Sequence, residues 1–180
     1  GHTRGFSFQG GALQSTWSAG KREAGIGADY KDKLRSPGMW RMVLVGFAEG
    51  LPRARNRLTL DPARKDANGL PLLRIDFAFG PEEQAALAQA KADAADMLGA
   101  AGGKVLMGFD RPGAGGTAIH EMGGARMGHD PSTSVLNKWS QAHDVPNLFV
   151  TDGAQMSSSA CQNPSLTYMA LTARACAAAV

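Results

Sequence analysis

Residues 56–79 read NRLTLDPARKDANGLPLLRIDFAF. Asn56 to Asp61 alternates apolar and polar side chains, which predicts a half-buried strand. Leu72 to Phe79 alternates in the same way. Between them, Asp66-Ala67-Asn68-Gly69 is a turn, because Asn-Gly supplies the positive φ that a tight hairpin needs. A period of two on both sides of such a turn predicts antiparallel partners, and a fold organised on an antiparallel sheet.

Working outward, Met39 to Glu49 (MWRMVLVGFAE) is apolar, with β-branched and aromatic residues, and predicts an earlier strand. Residues 1–37 are rich in glycine, polar residues and charge, and are expected to run irregularly over a surface or to settle on a partner. After the hairpin the period changes. Pro81-Glu82-Glu83-Gln84 opens a helix, with proline and acids in the first turn. Leu87, Ala90, Ala94, Met97 and Leu98 set one apolar stripe along it, and Gly99 to Gly103 end it. Lys104 to Phe109 (KVLMGF) predicts a further strand. The order strand, strand, strand, helix, strand suggests an antiparallel sheet with a helix on one face. Arg111 to Gly116 is a glycine-rich connector and marks a domain boundary. Beyond it come a turn at Asp130-Pro131, an extended run at Asn147 to Thr151, and a closing helix from about Pro164 to Ala179, with Asn163 and Pro164 in cap order.

Composition excludes several classes of function. The 180 residues are 43% hydrophobic and 19% charged with a formal charge of +3, as in folded domains. The cationic residues are scattered, so no nucleic acid is expected as partner. No stretch approaches the roughly 18 apolar residues that cross a bilayer. The opening Gly-His-Thr-Arg-Gly lacks a signal-peptide pattern, which leaves open where a longer parent resides. Cys161 and Cys176 form no disulfide framework; Cys176 is expected to be buried in its alanine-rich helix, and Cys161 to be a small filler. No His/Cys cluster has metal-ligand spacing, so no metal is expected. Ser157-Ser158-Ser159 lacks a Gly-x-Ser-x-Gly elbow, which argues against a hydrolase.

Two segments carry side chains suited to chemistry. Ile119 to Gly128 reads IHEMGGARMG, with His120 ahead of a glycine pair that lets backbone approach a planar ligand. Val150 to Thr167 reads VTDGAQMSSSACQNPSLT: a strand runs into Asp152-Gly153, and a small-residue loop ends at Asn163-Pro164 heading a helix. Such an N-terminus offers unpaired N–H groups and a positive dipole end. Each segment alone has a plainer reading, His120 as a structural imidazole and Asn163 as a helix cap.

Together they resemble the glucose–methanol–choline (GMC) flavin oxidoreductases. His120, Gly123-Gly124-Ala125-Arg126-Met127-Gly128, Asp130, Ser134-Val135, Val145 to Val150, Asp152-Gly153 and Asn163-Pro164-Ser165-Leu166-Thr167 follow that family's C-terminal pattern in order over about residues 117–180. Gly124 stands where the family usually has threonine, so one hydroxyl is missing. The family's Gly-x-Gly-x-x-Gly phosphate loop is missing too, since Gly25-x-Gly27 has neither the preceding strand nor the third glycine. The chain therefore looks like a C-terminal fragment, or one whose partner supplies the N-terminal FAD-binding part.

The resemblance implies an α+β fold: an antiparallel-sheet substrate domain with a helix over residues 1–114, and the C-terminal portion of a Rossmann-like FAD domain over residues 115–180. It implies FAD as cofactor, with Asp152, Gly153, Asn163, Pro164, Ser165 and Leu166 lining it. It implies His120 as the base that takes the hydroxyl proton of an alcohol or sugar while hydride leaves for the flavin, and Asn163 as the group that orients that hydroxyl. A histidine suits this because its unperturbed pKa, about 6.5, lies near working pH. Arg126 is expected to pin its loop, Glu121 to be solvated or to touch substrate, and His129 and His143 to lie on the surface. The wording HEMGGARMG and SSACQNPSLTYMALTARA is similar to bacterial sugar and polyol dehydrogenases of the family. Those pass electrons to a cytochrome or quinone, so a cytochrome or small subunit is an expected partner, and a periplasmic or cytoplasmic parent stays open. Two alternatives also stay open, a non-catalytic partner-binding module and an oxidase that uses oxygen.

Overall fold

In the computed structural model, residues 5–15, 17 and 24–179 are described. Strands β3 (Arg57–Lys65) and β4 (Pro71–Asp76) form the predicted antiparallel hairpin. Its turn is closed by Asp66, whose Oδ1 accepts from Asn68 N (2.8 Å) and Leu70 N (2.9 Å). Gly69 has φ +81°, the left-handed conformation that glycine takes without a Cβ penalty. The register slips between Leu60 and Lys65, where Asp61 Oδ1 bonds Ala63 N and Arg64 N while Pro62 offers no donor. β4 stops short of the expected Phe79, and the Asn56 side chain takes over the pairing: Oδ1 accepts from Ala78 N (3.0 Å) and Nδ2 donates to Ala78 O (3.2 Å).

The expectation for residues 1–37 is corrected. Phe6–Gln14 is strand β1, paired antiparallel along its whole length with β2 (Trp40–Ala48), from Phe6↔Ala48 to Gln14↔Trp40. Helix α1 (Gly27–Arg35) lies between them in sequence. Gly10 makes the tight pairing possible, since a Cβ there would fall 1.9 Å from Val43 O. Gly1 to Arg4, with the opening pattern read above, lie outside the described residues.

A single sheet was expected; among the described residues there are two separate two-stranded sheets, β1–β2 and β3–β4. Helix α2 (Pro81–Ala100) packs on β2 and β1. Its buried face is Glu83, Ala86 and Ala90, whereas Met97 of the expected stripe is 53% exposed. Alanines let the helix sit close to the sheet, with Ala90 against Gly46. The N-terminus of α2 is organised by one carboxylate. Glu83 Oε2 accepts from Gly80 N (2.7 Å), and Oε1 accepts from Leu51 N (2.8 Å) and from Arg53 Nη1. Burial on its own would raise the Glu83 pKa; the Arg53 guanidinium and the Leu51 and Gly80 N–H groups outweigh it and bring the group to about 2. This knot fastens the β2–β3 connector to the β4–α2 connector.

Lys104 to Phe109, expected as a strand, forms none and pairs with no described strand, and Leu106, Met107 and Phe109 are exposed. From there to helix α3 (Ser165–Ala179) the chain folds as loops with isolated bridges, Met127↔Leu136, Leu136↔Ala142 and Gln141↔Phe149. Leu136, Ser140 and Gln155 are fully buried at its centre, and Ser140 Oγ donates to Gln155 Oε1 (2.6 Å). The architecture is α+β. Among the described residues no helix is long and apolar enough to cross a membrane.

Candidate active site

His120 stands at the end of a tight turn. Thr117 Oγ1 donates to Ala114 O, and Ala118 N donates to Glu121 Oε1 (2.9 Å). The Glu121 carboxylate thus closes the turn on its own backbone. Ile119 between them adopts φ 58° and is 87% exposed, a left-handed conformation that is costly for a β-branched residue. His120 is half-buried, and neither ring nitrogen is hydrogen-bonded to a described residue.

The chain then runs alongside the Asp152 loop. Ala125 N donates to Ala154 O (2.9 Å), Met127 N to Gln155 O (2.8 Å) and Gly123 N to Gly153 O (3.4 Å). Gly123, at φ +84°, comes so close that a Cβ would meet Met156 O at 3.4 Å. At Gly123 the chain thus lies close to the protein's own backbone. Asp152 Oδ1 accepts from Ala154 N (2.8 Å) and caps the 3-10 turn Gly153–Gln155. Gly153 is buried, and a Cβ there would meet the Tyr168 hydroxyl at 2.8 Å and Glu121 O at 3.0 Å.

Tyr168, on α3, is the residue that sequence reasoning missed. Its hydroxyl donates to Met122 Sδ (3.4 Å) and packs on Gly153, so it ties the helix headed by Asn163-Pro164 to the segment carrying His120. Burial raises its pKa, with the Asp152 and Glu121 carboxylates adding to the rise. Thr172 Oγ1 bonds Thr151 O (3.2 Å) one turn further on. The available signal was that Tyr168 is the one aromatic residue of α3. Pro164 is buried, while Asn163, Ser165 and Leu166 are exposed, and the Asn163 side chain makes no hydrogen bond to a described residue. The Asp152 loop, the start of α3 and the His120 segment thus lie in one packed layer.

The remaining expectations divide. Arg126 pins its loop through Thr133 O, as read. His129 is exposed, but His143 is half-buried and its Nε2 lies 3.1 Å from Ser134 Oγ, so it is not a free surface group. Cys161 is half-buried; Cys176 is exposed, because the buried side of α3 passes through Ala175.

The segment after His120 is thus hydrogen-bonded to the Asp152 turn, and Tyr168 of α3 contacts both. Residues 52–172 match the family model described as GMC oxidoreductase, and the chain belongs to that family, whose members are flavoproteins. Among its relatives is the 2-methyl-1,2-propanediol dehydrogenase of Mycolicibacterium austroafricanum, 43% identical over 138 residues, which are 74% of this chain and 24% of the relative. The fructose dehydrogenase large subunit of Gluconobacter japonicus is 36% identical over 152 residues, 83% of this chain and 27% of the relative. The paromamine 6'-oxidase of Streptomyces fradiae is 32% identical over 119 residues, 66% and 22% of the two chains. The chain spans about a quarter of the length of these curated relatives.

Proposed function

We propose that this chain is the C-terminal part of an FAD-dependent dehydrogenase that oxidises a CH–OH group of an alcohol, sugar or polyol. Residues 1–114 then belong to the substrate domain and residues 115–180 to the FAD domain. The observation that carries the reading is the layer that locks the His120 segment, the Asp152 loop and the Asn163-Pro164 helix start together through Tyr168. The exposed surface supports the fragment. The chain presents 13,181 Å², against about 8,300 Å² for a folded monomer of 18.8 kDa from the usual mass scaling. That excess, with Leu106, Met107, Phe109 and Ile119 among the exposed apolar side chains, is in keeping with a face that another part of the protein covers.

The residues present suit a flavin edge in one respect that the structure allows to be tested. Ser165 and Leu166 leave the first turn of α3 exposed, where N–H groups have no partner within the helix. Asn163 to Leu166, with the Asp152-Gly153 backbone, would hold FAD there, and bound FAD supplies the hydride acceptor. His120 takes the substrate hydroxyl proton on its unprotonated imidazole nitrogen, which no described residue occupies. The Asn163 amide orients the same hydroxyl without adding charge. Closure of the Ala118–Glu121 turn holds His120 at the surface of the layer. The electron acceptor in this reading is a cytochrome or small subunit, in keeping with a relative named as a large subunit.

Dye-linked turnover of the complete enzyme on a panel of alcohols, sugars and polyols tests the reading. Asn163→Ala is expected to lower kcat about tenfold, less than loss of the base would. Oxygen uptake replacing dye reduction would mark an oxidase, and a complete enzyme that binds FAD but reduces no acceptor would mark a non-catalytic module.

A further inference from the structure

The residue before His120 is held in a conformation that its own side chain disfavours. Ile119 sits at φ 58°. In this left-handed region the Cβ of a β-branched residue crowds the following carbonyl. Its side chain is 87% exposed, so no packing there offsets the penalty. One side chain closes the turn around it: the Glu121 carboxylate accepts from Ala118 N at 2.9 Å, spanning Ile119 and His120. We propose that Glu121 is a positioning residue, whose carboxylate keeps Ile119 left-handed and so fixes where the turn presents the His120 imidazole. The proposal rests on the reading of His120 as the base.

Both ends of the segment are anchored. Upstream, Gly115 is seated on the Phe77 ring, where a Cβ would fall 2.5 Å from Cδ1, and Thr117 Oγ1 donates to Ala114 O. Downstream, Glu121 O lies 3.0 Å from where a Cβ on Gly153 would stand, and Gly123 N donates to Gly153 O. The freedom left lies in Ala118 to His120, where the clamp acts. A charge-assisted hydrogen bond and the left-handed penalty of an isoleucine are comparable in size. The balance between them therefore decides whether His120 is held in one place or shared among several. A base acts only when its nitrogen is within hydrogen-bond reach of the proton it takes, so each added arrangement lowers the rate without weakening FAD. Glutamine keeps an oxygen that can accept from Ala118 N, whereas alanine keeps none. Asparagine at position 119 takes the left-handed conformation more readily than isoleucine, and so makes the clamp dispensable.

The test is a double-mutant cycle in the complete enzyme with FAD bound, read by anaerobic flavin bleaching with its best alcohol or sugar. Glu121→Ala is expected to slow bleaching about tenfold with FAD content unchanged, and Glu121→Gln to slow it by under about threefold. In an Ile119→Asn background, Glu121→Ala is expected to slow it by under about twofold. Hydrogen exchange of the peptide spanning residues 114–122 reads the turn itself, and is expected to be faster in Glu121→Ala and restored in the double variant. An equal loss from Glu121→Ala in both backgrounds, or a loss as large for glutamine as for alanine, would overturn the proposal, since Glu121 would then act by its charge or on the substrate. His120→Ala in the same assay keeps the two readings apart. An inactive His120→Ala beside a flat cycle sinks the positioning role alone. A His120→Ala that bleaches normally sinks the base, and the role of Glu121 with it.

Discussion

Replacing Glu83 with glutamine removes the charge from a carboxylate that fastens two connectors to the start of α2, while keeping its shape. In the fold this group ionises near pH 2, against an ordinary value of 4.5. Each pKa unit is worth about 1.36 kcal/mol, so the ionised form favours the folded state by about 3 kcal/mol. The Glu83 side chain is 4% exposed and Arg53 19%, so solvent screens this value little. The direction follows from the depressed value. The contribution is complete above about pH 4.5, falls as pH drops toward about 2, and is gone below that. Urea melts of wild type and Glu83→Gln between pH 7 and pH 2.5 read the effect, and their difference cancels every other carboxylate. Wild type is expected to exceed the variant by about 2–3 kcal/mol at pH 7, with the gap closing through the acid window. A gap under about 0.5 kcal/mol at pH 7, or one that does not change with pH, would refute the reasoning.

Other substitutions test the packing. Gly10→Ala puts a Cβ onto Val43 O, where the backbone must part, and is expected to lower stability by about 2 kcal/mol or more in the same melts. Gly153→Ala drives the Tyr168 hydroxyl and the Glu121 carbonyl away from the turn, and is expected to cost a similar amount and to shift the ultraviolet spectrum of Tyr168. Tyr168→Phe keeps the ring and loses the hydrogen bond to Met122, with an expected cost of about 1 kcal/mol.

How much of this was legible depends on how local each signal is. The Asp66–Gly69 turn and the start of α2 are written within a few residues, in Asn-Gly and Pro-Glu-Glu, and the structure follows them. β1 is not, because FSFQGGALQ carries a glycine pair that weakens any strand reading. Only its partner β2, 26 residues on, turns Gly10 from a breaker into a requirement. Lys104 to Phe109 fails in the opposite sense: its propensity is strong, but no described strand pairs with it. The apolar stripe on α2 holds at Ala90, with Leu87, Ala94 and Leu98 half-buried, and fails at Met97; periodicity missed Glu83, whose ion pair lets a carboxylate be buried. At the site, His120 and Asn163 stood out only through the order of motifs around them. Tyr168 carried only the signal of a lone aromatic in its helix, since its role arises where residues 122, 153 and 168 meet.

The central claim is that His120 takes the proton as the C–H bond of a CH–OH group breaks. It is tested most directly by the rate of flavin bleaching in the complete enzyme mixed anaerobically with its best alcohol or sugar, wild type against His120→Ala. The account predicts a fall of about a hundredfold or more in the variant, with FAD still bound. A variant that bleaches at nearly the wild-type rate would contradict it.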